Sequence, residues 1–401
     1  MGTQAAARRR THGAARRRVM VCFGTRPEVI KLAPVIRALR SSRALEAYTV
    51  TTAQHREMLD QALQSFMLTI DEDLDLMRPR QGLAQLTSVA VSALAEVLQR
   101  AAPDVLIVQG DTTTAMCAAL AGFYAGVPVG HVEAGLRSGD RRAPFPEEVN
   151  RRIVSQLASW HFCPTAGAAE NLRAEQHDPG AVLFTGNTIV DALQFILGEA
   201  LATPVTMPAP GVRRILVTLH RRETQGERQR ELCRMLARVA SELEAVEILF
   251  PVHLSPSVRT VVMPELSRAA NVALLEPLGY PEFIHVMASS HLIVTDSGGV
   301  QEEAPSLGVP VLVMRDTTER PEGILAGCAR LSGTDPRAVE RDIRALLSHP
   351  ALHDQMTGSP NPYGDGQAAQ RIVACLERDL SAGRTDELSP SVVSDLVAEA
   401  R

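Results

Sequence analysis

Residues 295–322 read TDSGGVQEEAPSLGVPVLVMRDTTERPE. A strand-like run, residues 291–295, enters Asp296-Ser297-Gly298-Gly299, and helix-forming residues with two carboxylates, Glu302 and Glu303, follow. A second apolar run, residues 309–314, leads into Arg315, Glu319 and Arg320. Two glycines let the backbone approach an anion closely, and a helix that starts there aims its free N–H groups at it. A planar Arg can grip the same group with two hydrogen bonds. A tight turn would account for Gly-Gly alone, but not for the polar cluster around it. The stretch reads as a phosphate cradle that lacks the Walker lysine.

The same alternation runs through the chain. Residues 19–23, 104–109 and 127–132 are strand-like, with helical spacing over 28–39 and 114–124 between them. After residues 201–211 (LATPVTMPAPG), rich in Pro, Ala and Thr, the pattern restarts with strands at 214–218, 247–251, 274–275, 292–295 and 309–314. Strands alternating with helices imply parallel sheets covered by helices. The sequence therefore predicts an α/β protein of two Rossmann-like domains, 19–200 and 212–365, facing across a cleft and joined by the linker 201–211. A last helix over 366–380 is expected to pack back on the first domain. In such sheets a ligand sits at the carboxyl ends of the strands.

Composition narrows the function. The chain has 401 residues, 45% hydrophobic and 22% charged, with a net charge of −5, so it can fill two cores and has no general attraction to nucleic acid. Aromatics make up 3%, with one tryptophan, Trp160, which argues against base-stacking platforms. No apolar run approaches the roughly 20 residues that span a bilayer. Neither a nucleic-acid nor a membrane partner is expected. Residues 1–18 carry Arg8-Arg9-Arg10 and Arg16-Arg17-Arg18 and read as a basic disordered arm, not a secretory signal; residues 381–401 read as a tail. The six cysteines are scattered, without a CxxC pair, which fits reduced core residues and a cytoplasmic setting.

Four further clusters follow predicted strands. Gly24-Thr25-Arg26-Pro27-Glu28, with Lys31 one turn on, puts a tight turn, a helix-starting proline and two cations at the first strand end. It is not GxGxxG, and neither that fingerprint nor GxxxxGK[ST] occurs, which disfavours the usual NAD and ATP enzymes. Gly110-Asp111-Thr112 places Asp111 where a helix cap or an acid would sit. His131-Val132-Glu133-Ala134-Gly135-Leu136-Arg137, followed by Pro146-Glu147-Glu148-Val149-Asn150-Arg151, gathers carboxylates and bases. His220-Arg221-Arg222-Glu223 offers a histidine as acid, base or phosphate ligand. The DxD runs within residues 71–75 have no predicted strand before them and read as a solvated loop. No His/Cys/Asp group has metal-ligand spacing, so no metal is expected.

These motifs, in this order, are similar to those of the non-hydrolysing UDP-N-acetylglucosamine 2-epimerases. The resemblance rests on GTRPEVIKLAP (24–34), AQHREMLDQ (53–61), GDTTTAM (110–116), HVEAGLRSGD (131–140), PEEVNRR (146–152) and TGNTIVDAL (185–193). HRRE (220–223), FPVHLSP (250–256), TDSGGVQEEAPSLG (295–308), RDTTERPEG (315–323) and NPYGDG (361–366) continue it, so it covers residues 19 to about 378.

The resemblance implies a glycosyltransferase-B type fold, no redox cofactor, a UDP-sugar substrate and a homodimer. It implies reversible C2 epimerisation of UDP-GlcNAc to UDP-ManNAc through 2-acetamidoglucal. It assigns Asp111, Glu133, Glu147 and His220 to catalysis. Arg26 and Lys31 would hold the diphosphate or sugar, and Ser297, Gly298, Gly299 and Arg320 the phosphates. Glu303 would take the ribose, and Phe283 would lie near the uracil. Some relatives carry a second UDP-GlcNAc site, to which Gln54, Arg80 and His253 would correspond, although Glu57 replaces a Gln found in certain regulated members. Leu278, Val309, Leu219 and Ser255 also depart from the common pattern; none removes a catalytic residue. The alternatives are a hydrolysing 2-epimerase that releases ManNAc and UDP, a 2-epimerase for another UDP-hexosamine, and a glycosyltransferase or UDP-sugar-binding protein of the same fold.

Overall fold

The computed structural model describes residues 16–53, 56–78, 81–199, 206–221, 224–243 and 245–383. Seven parallel strands form the first sheet: β1 (Arg17–Phe23), β2 (Leu45–Thr51), β3 (Glu72–Asp73), β4 (Val105–Gln109), β5 (Val129–Val132), β6 (Trp160–Cys163) and β7 (Val182–Phe184). Its helices are α1 (Arg26–Ser41), α2 (Arg56–Ser65), α3 (Leu83–Ala101), α4 (Thr113–Tyr124), α5 (Glu147–Leu157), α6 (Ala166–Ala174) and α7 (Thr188–Gly198). The second sheet has six parallel strands: β8 (Arg213–Thr218), β9 (Val246–Pro251), β10 (Val272–Leu275), β11 (Leu292–Thr295), β12 (Val311–Val313) and β13 (Ala329–Leu331). Around it lie α8 (Glu227–Glu242), α9 (Pro256–Leu266), α10 (Tyr280–Ala288), α11 (Gly298–Glu303), α12 (Pro321–Ala326), α13 (Pro336–Ser348) and α14 (Pro350–Thr357), and α15 (Ala368–Ser381) ends the described chain.

The strand orders decide where a ligand can bind. They are β3-β2-β1-β4-β5-β6-β7 and β10-β9-β8-β11-β12-β13. Winding reverses between β1 and β4 in one sheet and between β8 and β11 in the other. At such a reversal the helices leave on opposite faces and open a crevice at the strand ends. The central strands are buried on both faces, as is usual in parallel sheets, so β4 (VLIVQ) and β11 (LIVT) are almost wholly apolar.

Sequence and structure differ at some edges. β1 begins at Arg17, inside the expected arm. The Arg17 amide bonds to the Ala44 carbonyl, the Arg18 amide bonds to Asp104, and both side chains pair with acids. The acidic run at 71–73 is not simply a solvated loop. Asp71 accepts hydrogen bonds from the Thr49 amide and hydroxyl at 2.7 Å, Tyr48 donates to Glu72 at 2.9 Å, and residues 72–73 add an edge strand. The linker 201–211 lies partly outside the described residues, as do most of the arm and tail.

The chain returns from the second domain to the first through NPYGDG. The Asn187 amide donates to the Tyr363 carbonyl at 2.8 Å, and Gly364 lies against Gly186. α15 then packs on α1 and α7, burying Ile372, Val373, Cys375, Leu376 and Leu380. Trp160 Nε1 donates to Asp379 at 2.9 Å. Asp191 of α7 accepts the first two α15 amides, those of Ala368 and Ala369, at 3.2 and 2.9 Å. A cap supplied from another helix ties the helix start to its platform. Asp191→Ala should therefore cost about 1–2 kcal/mol, the range for a lost N-cap, read as a lower urea midpoint with an unchanged m-value.

Candidate functional site

The first half of the site follows β1 and β4. Glu28, fully buried in the first turn of α1, turns back on the loop before it. Its Oε2 accepts the Gly24 and Thr25 amides at 3.0 and 2.8 Å and the Thr25 hydroxyl at 2.7 Å, while Oε1 takes the Thr112 hydroxyl at 2.8 Å. Burial pushes this carboxyl up to about 7 against those four donors. The loop amides are thus held internally, which leaves Arg26 and Lys31 as the cations on this side of the cleft. Gly24 is required sterically: a Cβ there would lie 2.3 and 2.4 Å from the hydroxyls of Thr52 and Thr114. Beside it, Asp111 pairs with Arg151, and its carbonyl takes the Asn150 amide at 2.9 Å.

Glu133, after β5, has φ +64°, a left-handed conformation that costs energy for a side-chain-bearing residue and is common at functional sites. His131 is buried, bonds the Gly110 carbonyl at 2.8 Å and is pushed by burial down to about 4. It is a neutral brace for the Gly110–Asp111 turn and not an acid/base group. Glu147 stands in the first turn of α5, with a buried Oε2 that has no hydrogen-bond partner among the described residues.

The second half follows β8 and β11. Asp296, fully buried, accepts the His220 and Arg221 amides at 2.9 and 2.8 Å and the Thr224 hydroxyl at 2.9 Å. It also lies 3.2 Å from His220 Nδ1. Burial lowers the His220 pKa, with Asp296 pulling the other way. α11 opens at Gly298 with no side-chain cap from Ser297. A Cβ on Gly298 would lie 3.2 Å from the Arg320 guanidinium carbon, so glycine admits that arginine.

The two halves meet through buried charge. Lys31 Nζ lies 2.6 Å from Glu133 Oε1 and 2.9 Å from Glu302 Oε2 of the opposite domain. Glu302 also takes Arg320 Nε at 2.7 Å and Asn187 Nδ2 at 3.2 Å, while Gln109 donates to Glu133. Burial holds Glu133 above the usual carboxylate range, with Lys31 pulling it down and Glu302 pushing it up. Burial opposes ionisation of Glu302 too, but Lys31 and Arg320 hold it at about 2. Glu303, next in sequence, accepts the Tyr280 hydroxyl at 3.1 Å, and burial pushes it up to about 7.

A cavity of about 470 Å³ sits between the domains. Arg26, Lys31, His220, His253, Phe283, Ser297, Gly299, Glu303 and Arg320 line it, with Pro277, Leu278 and Tyr280 as an apolar wall. Gly298 lies beneath Arg320, and Glu133 joins through Lys31. Asp111, in the loop after β4, and Glu147, at the start of α5, do not line the cavity itself. His253 stacks 5.6 Å from His220 in this same cavity, not in one of its own. Gln54 and Arg80 lie outside the described residues. Sequence reasoning missed Glu302, Asn187, Gln109, Tyr280 and Asp296 as site residues. A larger groove of about 820 Å³ runs between α1, α7 and α15, but none of the strand-end clusters reaches it.

Two doubly wound domains with both reversal points facing one cleft define a glycosyltransferase-B type fold. The glycosyltransferase SnogD from Streptomyces nogalater, 18% identical with a TM-score of 0.56, is similar in fold alone. The family model described as UDP-N-acetylglucosamine 2-epimerase matches residues 37–377, and the chain belongs to that family. It is 46% identical over 371 residues to the UDP-N-acetylglucosamine 2-epimerase of Escherichia coli K12, covering 90% of this chain and 99% of the relative. A crystal structure of a 2-epimerase described as putative, from Listeria monocytogenes, is 43% identical with a TM-score of 0.86, over 92% of this chain and 98% of that one. The Neisseria meningitidis enzyme bound to UDP-GlcNAc is 42% identical with a TM-score of 0.83, over 90% and 100%.

Glu303 gives a pH signature. Its folded pKa, about 7, is raised above the ordinary 4.5, so the native state binds the extra proton. The stabilisation from that proton is complete below about pH 4.5 and is lost as pH rises through about 7. Empty wild-type protein should therefore lose stability relative to Glu303→Gln across that window, by up to a few kcal/mol. Urea melts at pH 4.5, 6 and 8 read the difference, and parallel curves would remove the assignment.

Proposed function

We propose that this chain is a non-hydrolysing UDP-N-acetylglucosamine 2-epimerase that interconverts UDP-GlcNAc and UDP-ManNAc through 2-acetamidoglucal. One observation carries the reading, in a chain of this family. A single cleft joins a glycine-opened helix and Arg320 to a carboxylate, Glu133, held through Lys31. The C2 hydrogen of an N-acetylhexosamine is not next to a carbonyl and is not acidic, so inversion needs transient oxidation or elimination. Elimination asks only for a base at C2 and a site that stabilises departing UDP. The base takes the C2 proton, the C–H pair forms the C1=C2 bond, and the C1–O pair leaves with UDP. In the return step a UDP oxygen bonds C1, and a proton reaches C2 from the other face.

In this reading Asp111, Glu133 and Glu147 are the acid/base carboxylates. Glu147 Oε2 has no hydrogen-bond partner among the described residues, which supports a carboxylate not committed to a structural bond at that atom. His220 stands near the phosphates with Ser297, Gly298, Gly299 and Arg320, and Arg26 and Lys31 hold the diphosphate or sugar side. Glu303 takes the ribose, and Phe283 with Leu278 and Pro277 offers a flat apolar seat for uracil. Structures of the relatives from Neisseria meningitidis, bound to UDP-GlcNAc, and Methanocaldococcus jannaschii, in complex with UDP-GlcNAc and UDP, support the substrate class. The resemblance adds a homodimer to the proposal.

Incubation with UDP-GlcNAc in heavy water, with no dinucleotide added, should give UDP-ManNAc labelled at C2 by NMR. Free ManNAc with UDP would make the enzyme a hydrolysing one, and an unlabelled C2 would end the elimination mechanism. Asp111→Asn, Glu133→Gln and Glu147→Gln should each slow turnover at least about a hundredfold with the fold intact, the scale of a positioned acid or base. Arg320→Ala should chiefly weaken UDP binding in calorimetry.

A further inference from the structure

Glu302 has no role in the mechanism above, yet it is a buried acid of the cleft bonded by donors from both domains. It is 2% exposed, belongs to the second domain and receives two donors from the first. One of them, Lys31, is also the ammonium that Glu133 holds. Three further facts bear on the sharing. Lys31, Glu133 and Glu302 are all under a tenth exposed, so water cannot screen the competition. The other Glu302 oxygen is occupied by Arg320 and the other Glu133 oxygen by Gln109, so neither acid can turn away from the lysine without breaking a bond. The charged groups acting on Glu133 are Lys31 from α1, Glu302 from α11 and Arg320 at the start of α12, and two of these three come from across the cleft.

We propose that Glu302 is a positioning residue that draws Lys31 partly off Glu133, so that approach of the second domain sets the basicity of the first domain's carboxylate. A carboxylate that owns a buried ammonium outright is a poor base, because taking a proton would strand the lysine's charge. Sharing Lys31 with a second carboxylate relieves that constraint, and it does so only while α11 faces α1. The acid/base group is thereby kept weak when the cleft is open and made basic when it is closed over a nucleotide sugar. This inference rests on Glu133 being one of the acid/base groups.

The test is the pH–rate profile of C2 deuterium exchange, measured at saturating UDP-GlcNAc. Glu302→Gln removes the competing charge, so Lys31 goes wholly to Glu133, and the limb belonging to Glu133 should move about one pH unit or more lower. Asn187→Asp works in the opposite sense. It keeps an oxygen for the Ile189 amide but adds negative charge beside the Glu302 oxygen that Lys31 meets, and should move the limb higher. Opposite displacements are what a role in packing alone would not give. A Glu302→Gln enzyme that is uniformly slower with an unmoved limb overturns the proposal. Should that variant fail to bind UDP or to fold, Asn187→Asp decides alone, and an unmoved or lowered limb overturns it. Near wild-type exchange by Glu133→Gln would instead remove the acid/base reading on which the proposal stands, a separate failure with its own readout.

Discussion

Three buried charged side chains and a fourth that is partly buried, Arg320, gather where the two domains meet, and the molecule is arranged around keeping them in balance. Lys31 and Arg320 oppose Glu133 and Glu302, and polar donors from Gln109 and Asn187 complete the coordination. Removing one member of such a set leaves an uncompensated charge in a medium that tolerates it poorly. The balance also fixes how the domains approach each other, because the two cations come from different domains and so do the two acids. Apolar packing reinforces the fit without dictating it: Phe66 of the first domain lies 5.9 Å from the Tyr280 ring of the second, beside Phe195 at 5.7 Å.

Fold and site connect through the reversal of winding. In each sheet the crevice opens beside two strand ends, which is why Gly24–Lys31 and Gly110–Asp111 share one side of the cleft while His220 and Ser297–Gly299 share the other. Each strand end then needs a device to hold its loop. In the first domain it is Glu28, which bonds the loops of both β1 and β4. In the second it is Asp296, which follows β11 and captures the loop after β8. A related solution appears twice, a buried carboxylate that ties two strand-end loops together: Glu28 takes amides of its own loop and the Thr112 hydroxyl of the next, and Asp296 takes amides of the loop after β8.

What the sequence revealed follows from which forces are local. Period and composition located β4, β8 and β11, since a strand buried on both faces is an apolar run wherever it sits. The placing of an arginine over a glycine-opened turn was legible for a related reason, since Gly298, Gly299 and Arg320 lie within one short stretch. β3 was not legible, because two acidic residues become a strand only when Val50 and Thr51 of β2 are alongside. Nor was Glu302, whose pattern with Glu303 is merely two adjacent glutamates on a short helix; which one meets Lys31 depends on the angle between domains. Asp191 and Asn187 were hidden similarly, since their partners lie more than a hundred residues away. His131 had no readable role, for the burial that makes it a brace belongs to the packed sheet.

The returning helix gives the first lobe an unusual history. Its α1 and α7 are covered by α15, a segment separated from them in sequence by an entire second lobe. During synthesis the ribosome must therefore finish nearly the whole polypeptide before the first lobe can close its surface, and until then the apolar face meant for Ile372, Leu376 and Leu380 stays open to chaperones or to the wrong neighbour. A lobe excised at residue 200 would inherit that same bare face for good.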